Sequence, residues 1–132
     1  MPLFWKVDDE RCLEGVIDLA LFDGANGKCL ILDWKTDRVP PDSTETLHDR
    51  YLPQLAAYWK AVSAMTEMQV SAAIYSTAAG ALVRYEITQL EKEWQRLEKL
   101  SPDQFSSTIK PDVDLPNKKP KPSVTQLEFT DL

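Results

Sequence analysis

Two apolar runs joined by a dense cluster of turn residues restrict this chain more than any other feature. Leu13 to Phe22 runs almost continuously apolar into Asp23-Gly24-Ala25-Asn26-Gly27, and Lys28 to Lys35 returns. Gly, Asn and Asp tolerate the backbone conformations of a tight reversal, so the stretch predicts an antiparallel hairpin. With Gly24 to Gly27 as the loop, Asp23 faces Lys28, and counting back equally on both sides places Asp18 opposite Asp33. Side chains alternate along a strand. Asp33 and Lys35 therefore share one face, Leu32 and Trp34 the other, and Asp18 lies with Val16 and Ala20.

Two carboxylates directly opposite each other in a sheet repel, and here their neighbours are apolar, where charge is poorly solvated. A divalent cation bridged by both would compensate. Oxygen donors with positions left open suit Mg²⁺ or Mn²⁺, which keep waters and accept phosphate oxygens. Lys35 on the same face adds a point charge for a phosphate or an attacking hydroxide. The arrangement depends on register, because a slip of one residue sends Asp18 and Asp33 to opposite faces.

Around the hairpin, Leu3 to Val7 reads as a short strand and Asp8 to Arg11 as a polar turn. After Pro40-Pro41, Tyr51, Leu55, Tyr58, Val62 and Met65 recur at steps of four and three, the stripe of an amphipathic helix over the sheet. Pro53 is comfortable only in a first turn, which starts the regular helix near Leu52 or kinks it there and leaves His48 on the surface before it. Gln54 and Tyr58 are one turn apart on the same helical face, and a glutamine at a packing edge wants partners such as a phosphate or a carboxylate. The stripe makes Tyr51 and Tyr58 core-facing, with their hydroxyls exposed. Val70 to Thr77 and Leu82 to Ile87 are further strands around a turn with Gly80. Thr88-Gln89-Leu90-Glu91 matches a capping box, and Leu90, Trp94 and Leu97 give the next helix a packing stripe that ends at Ser101-Pro102. The expected order is β-β-β-α-β-β-α, an α/β chain with a mixed sheet of about five strands.

A length of 132 residues bounds this to one domain, read as residues 1–100, with 101–132 as a mostly irregular, Pro- and Lys-containing tail. Fifteen Lys and Arg against 21 Asp and Glu give a net charge of −6, so any grip on nucleic acid is local rather than a broad basic surface. No apolar run approaches the roughly 20 residues of a membrane helix, and the start lacks the pattern of a secretory leader. The expectation is a cytoplasmic protein without membrane attachment. Cys12 and Cys29 are too few and too far apart for a zinc or iron–sulfur site and read as small, partly buried thiols.

Gly15-Val16-Ile17-Asp18, then Leu32-Asp33-Trp34-Lys35-Thr36-Asp37, then Tyr51-Leu52-Pro53-Gln54-Leu55-Ala56-Ala57-Tyr58 together resemble the RecB-like nuclease family of the PD-(D/E)XK superfamily, especially the nuclease domain that ends AddA- and RecB-type helicase–nucleases. The resemblance covers roughly Leu3 to Ile87 and implies a restriction-endonuclease-like core. It implies that Asp18 and Asp33 hold a catalytic Mg²⁺ or Mn²⁺, that the backbone carbonyl of Trp34 is a further ligand, and that Lys35 is the catalytic lysine. Gln54 and Tyr58 match the family's Q-x-x-x-Y motif, which helps bind and orient the DNA strand, and Tyr51 is grouped with them. The implied function is a DNA exonuclease domain working with helicase motor domains, of the same or a partner chain, in double-strand break repair and recombination.

The sequence departs from the family pattern in two places. The family usually opens with a helix bearing a histidine that joins the metal site, whereas this chain starts at the following strand and its one histidine, His48, lies downstream. It also lacks the cysteine cluster of some relatives, so no iron–sulfur cluster is expected. The missing helix motivates an alternative reading, a nuclease-like module that no longer cuts and serves a structural or DNA-end-binding role in a helicase complex. A stand-alone structure-specific endonuclease is a third. In the tail, Lys118-Lys119-Pro120-Lys121 reads as a solvated linker, and Gln126-Leu127-Glu128-Phe129 loosely resembles a sliding-clamp-binding peptide.

Overall fold

The hairpin forms in the register its turn dictates, with Asp23 paired to Lys28 and Leu19 to Leu32. Gly27 carries a φ of +64°, a conformation that only glycine adopts cheaply. The computed structural model describes residues 1–38 and 43–109. Its elements are β1 (Pro2–Lys6), β2 (Cys12–Val16), β3 (Leu19–Asp23), β4 (Lys28–Lys35), α1 (Thr44–Thr66), β5 (Gln69–Ser76), β6 (Ala81–Arg84), α2 (Ile87–Leu97) and α3 (Pro102–Ile109). β1 and β2 form an antiparallel ribbon; β3-β4-β5-β6 form a mixed sheet in which β4 and β5 run parallel, joined through α1. The α/β architecture is the expected one and is compatible with a restriction-endonuclease-like fold.

The expected single strand from Leu13 to Phe22 is two strands. The chain pairs with β1 up to Ile17, whose N–H donates to the Met1 carbonyl at 2.8 Å, and then turns at Asp18 to pair with β4. A change of sheet splits the run, so the strands divide four plus two instead of about five in one sheet. The faces also shift at the break: Val16 is exposed, Ile17 is buried, and Ala20 packs on the main core.

The core lies between the sheet and the helices. Cys29 and Ile31 from β4, Val70, Ala72 and Ile74 from β5, and Tyr51, Leu55, Tyr58 and Val62 from α1 meet there, joined by Leu3 and Leu13 from the ribbon. The indole N–H of Trp59 donates to the Val70 carbonyl at 2.9 Å and fastens α1 to β5. The other sheet face gathers Leu30, Leu32, Trp34 and Ala73 into a second apolar cluster, against which Leu19, Leu21, Tyr75 and Leu82 pack. Fully burying one such side chain is worth roughly 1.5–3 kcal/mol, and both faces contribute many.

Several local expectations give way. α1 begins at Thr44, so Pro53 sits inside the helix and His48 belongs to it. Proline removes the N–H that would bond the Asp49 carbonyl, but Asp49 lies on the exposed side, where solvent can meet that carbonyl. His48 stacks on Tyr85 with ring centroids 4.2 Å apart, and the Tyr85 phenol, pushed up chiefly by burial, donates to the His48 carbonyl. Met65, last of the predicted stripe, is exposed, as is Cys12, whereas Cys29 is buried. β6 ends at Arg84, and α2 starts at Ile87 behind Glu86, too early for a Thr88 capping box; no side-chain cap forms.

The expected irregular tail from Ser101 begins instead with a helix. Pro102 opens α3, and Ser101 and Gln104 cap it reciprocally: the Gln104 N–H donates to Ser101 Oγ at 3.3 Å and the Ser101 N–H to Gln104 Oε1 at 3.4 Å. Phe105 and Ile109 are buried in the main core, with Phe105 edge-on to Trp94. The basic and clamp-like stretches at 118–121 and 126–129 lie outside the described residues. No helix among the described residues is long and apolar enough to cross a membrane.

Candidate active site

Asp33 and Lys35 project from the C-terminal end of β4 on the same face as Ile31, toward α1. Both are largely buried, 5% and 8% exposed, and Lys35 Nζ lies 2.8 Å from Asp33 Oδ2. From α1, Gln54 Oε1 accepts a second hydrogen bond from Nζ at 2.8 Å, and the Tyr51 ring lies beneath the ammonium, 4.0 Å from Nζ to its centroid. A buried lysine cannot keep its charge unless such partners replace water. The side chains predicted from β4 and the middle of α1 are thus brought together around one ammonium.

Asp18 stands where the chain leaves β2 for β3, one step beyond the Leu19–Leu32 pair, which continues the register to Asp33. Its Oδ2 accepts the Trp34 N–H at 2.9 Å. The carboxylate thereby serves an amide that the shortened β3 no longer reaches. Along a strand, backbone groups alternate sides; the Lys35 carbonyl is taken by the Thr77 N–H at 3.0 Å on the β5 side, so the Trp34 amide and carbonyl both turn toward Asp18.

Tyr58 is buried one turn beyond Gln54, and its phenol receives the Val16 N–H. Burial, and then the nearby Asp33 charge, push the phenol up to about 12, with the Val16 amide opposing. It is held as a neutral hydroxyl. The close fit of Tyr58 explains Gly15: a Cβ there would overlap the phenol oxygen and come within 2.9 Å of Cε1 and Cζ. The Tyr51 hydroxyl is likewise taken inside the protein, donating to Asp37 Oδ1 and Oδ2, each at 2.9 Å. Neither phenol has the exposed hydroxyl that the helical stripe suggested. Asp37 also pairs with Arg50 at 2.5 Å. Sequence reasoning met Asp37 only as the last residue of the Leu32–Asp37 motif, without a role, and passed over Arg50; no periodicity marks either, because Asp37 lies past the end of β4.

The donor set suits a hard divalent ion that keeps part of its water: two carboxylates at one corner of the sheet and a backbone carbonyl turned to the same side. Among the described residues no group of three His, Cys, Asp or Glu assembles, so protein carboxylates alone would not fill a coordination sphere. Asp18, Asp33 and the Trp34 carbonyl are the groups able to hold such an ion. Waters or phosphate oxygens would complete it.

A family model for the PD-(D/E)XK nuclease superfamily matches residues 4–118, most of the chain. The chain belongs to this superfamily. The PD-(D/E)XK chain is also similar to an ATP-dependent helicase/nuclease subunit from Acetivibrio thermocellus, at 35% identity over 74 residues, which is 52% of this chain and 6% of that protein. Its likeness to the protein of the same name from Lysinibacillus sphaericus is 33% identity over 69 residues, 48% of this chain and 6% of the relative. The chain thus spans only a small part of the length of these relatives. No solved structure matches it significantly.

Proposed function

We propose that this chain is a metal-dependent DNA nuclease domain, an exonuclease that hydrolyses phosphodiester bonds in strands delivered by a helicase motor during double-strand break repair or recombination in the cytoplasm. The observation that carries this reading is the buried Asp33–Lys35–Gln54 cluster facing Asp18 across the register of the hairpin. Superfamily membership and the helicase/nuclease relatives support it.

In this reading Asp18, Asp33 and the Trp34 carbonyl hold Mg²⁺ or Mn²⁺. The ion supplies Lewis-acid activation of water and neutralises charge on the scissile phosphate. Lys35 presents its ammonium to the attacking oxygen or to a phosphate oxygen, and because Gln54 and the Tyr51 ring already fix it, little reorganisation is needed at reaction. Gln54 holds the lysine at the side where a strand would lie. Tyr58, kept protonated, bounds the site next to Asp33. The net charge of −6 fits a domain that leaves most of the grip on DNA to the motor.

The test is cleavage of linear DNA with Mg²⁺ or Mn²⁺ by the purified chain and by Asp33→Ala and Lys35→Ala. Both variants are expected to stay folded and to lose cleavage; retained cleavage would sink the assignment. A second reading is a DNA-end-binding module that does not cut, since among the described residues no group of three His, Cys, Asp or Glu assembles. DNA binding that ignores both the metal and Asp33→Ala would select that reading.

A further inference from the structure

Lys35 has three visible partners, and two of them, Asp33 and Gln54, accept hydrogen bonds from its ammonium. The third is the face of Tyr51, whose ring packs in the main core with the phenol at its far end. That end is fixed by Asp37, whose two carboxylate oxygens both take the phenol at 2.9 Å, while Arg50 holds the same carboxylate from α1. We infer that Asp37 is a positioning residue for Lys35, acting through the Tyr51 ring. This inference rests on the nuclease reading of the site and deepens it.

The physical link has two parts. A phenol that donates to a carboxylate leaves more electron density in its ring, so the face beneath the ammonium becomes more negative and attracts the cation more strongly. Core packing sets the ring plane, Tyr51 being 2% exposed, and the bond to Asp37 anchors the phenol end so that the ring stays beneath the ammonium. A lysine stem has several rotatable bonds. With the ring fixed below it, Nζ is confined to the place where Asp33 and Gln54 both reach it. Asp37 itself needs no contact with substrate or metal.

The competing account makes Asp37 only a tether between the end of β4 and α1. A tether and a positioning residue differ in what their loss changes. The experiment compares the full chain with Asp37→Ala, Asp37→Asn, Tyr51→Phe and the Asp37→Ala/Tyr51→Phe double variant. Cleavage of linear DNA with Mg²⁺ gives kcat and KM, and the Lys35 side-chain methylene resonances are followed by NMR, assigned from their disappearance in Lys35→Arg.

Positioning predicts that kcat falls about tenfold in Asp37→Ala and in Tyr51→Phe with KM for DNA little changed, as expected for misplacement of a reacting group. The double variant is then no slower than Asp37→Ala, because both changes break one link. Asp37→Asn, whose amide oxygen still accepts the phenol, recovers most of the rate. The upfield ring-current shift of Lys35 persists in Asp37→Asn and collapses in Asp37→Ala. An Asp37→Ala chain that melts earlier but keeps both its kcat and its Lys35 shift overturns the inference. Should Asp37→Ala fail to fold, Tyr51→Phe decides: unchanged kcat and unchanged Lys35 resonances overturn it. Should the wild type cut no DNA, the nuclease reading fails separately, and the Lys35 resonances alone decide whether Asp37 positions the lysine.

Discussion

The two faces of β4 do opposite work from the same eight residues. Leu30, Leu32 and Trp34 point into a dry cluster and are at most 3% exposed, while the other face runs from Cys29 and Ile31 into Asp33 and Lys35. The apolar face is intolerant of polarity, yet among the described residues the indole N–H of Trp34 is buried there without a protein hydrogen-bond partner. Such a group costs roughly 1–3 kcal/mol, which the burial of the ring itself offsets. The difference between the faces shows how the site is held. Both faces bury apolar side chains and fix the register, and the fixed register brings the charged groups together at the end of the face that also carries the main core. The charged site can therefore be probed apart from the apolar cluster behind it.

The largest effect should come from exchanging those roles. Asp33→Asn, which keeps an oxygen to accept from the Lys35 ammonium, is expected to cut metal-dependent DNA cleavage by about 10³-fold or more, since removing one fixed electrostatic group from such a site costs on that order, while circular dichroism stays native. Leu32→Ala, its neighbour on the dry face, should do the reverse. It should lower unfolding free energy in urea by about 2–5 kcal/mol and leave cleavage per folded molecule near wild type. If both variants lose stability and activity together, the two faces are not separable.

A smaller effect tests the packing behind the site. Gly15→Ala should destabilise the chain by about 1–3 kcal/mol through overpacking against Tyr58, and Tyr58→Phe, which deletes the phenol oxygen, should recover part of that loss in the double variant. Urea unfolding of the four chains measures the coupling. Additive losses would mean that Gly15 has another role.

The smallest effect is a pH dependence. The Tyr58 phenol is raised from near 10 to about 12 in the folded chain, and Tyr85 is raised as well. Below pH 10 both states keep their phenol protons and stability is complete. Between pH 10 and 12 the unfolded chain ionises first, so stability falls as pH rises. The urea midpoint of the wild type should therefore drop more from pH 9 to pH 11 than that of Tyr58→Phe. Equal drops would remove Tyr58 from this account.

Much of the site was legible because it depends on local geometry. The turn set the Asp23–Lys28 pair, strand alternation put Asp33 with Lys35, and helical spacing put Gln54 with Tyr58. The break at Ile17–Asp18 was not legible, since nothing in Leu13 to Phe22 shows that β1 claims one half and β4 the other. Pro53 misled for a related reason: the cost of an internal proline depends on whether solvent reaches the orphaned carbonyl, a tertiary fact. α3 is different, because Ser101-Pro102-Asp103-Gln104 is a helix-start signature with Phe105 and Ile109 one turn apart, and it was readable in the sequence. Asp37 closes the Leu32–Asp37 motif, but nothing in the sequence gives it a partner; that partner is Tyr51, fourteen residues on.

The central claim, that Asp18 and Asp33 form one metal site, is tested most directly by calorimetric titration of Mn²⁺ into the wild-type chain, Asp18→Asn and Asp33→Asn. The account predicts a saturable binding heat in the wild type that disappears in both variants. Binding that survives either substitution, or a folded wild type that binds no Mn²⁺, would contradict it.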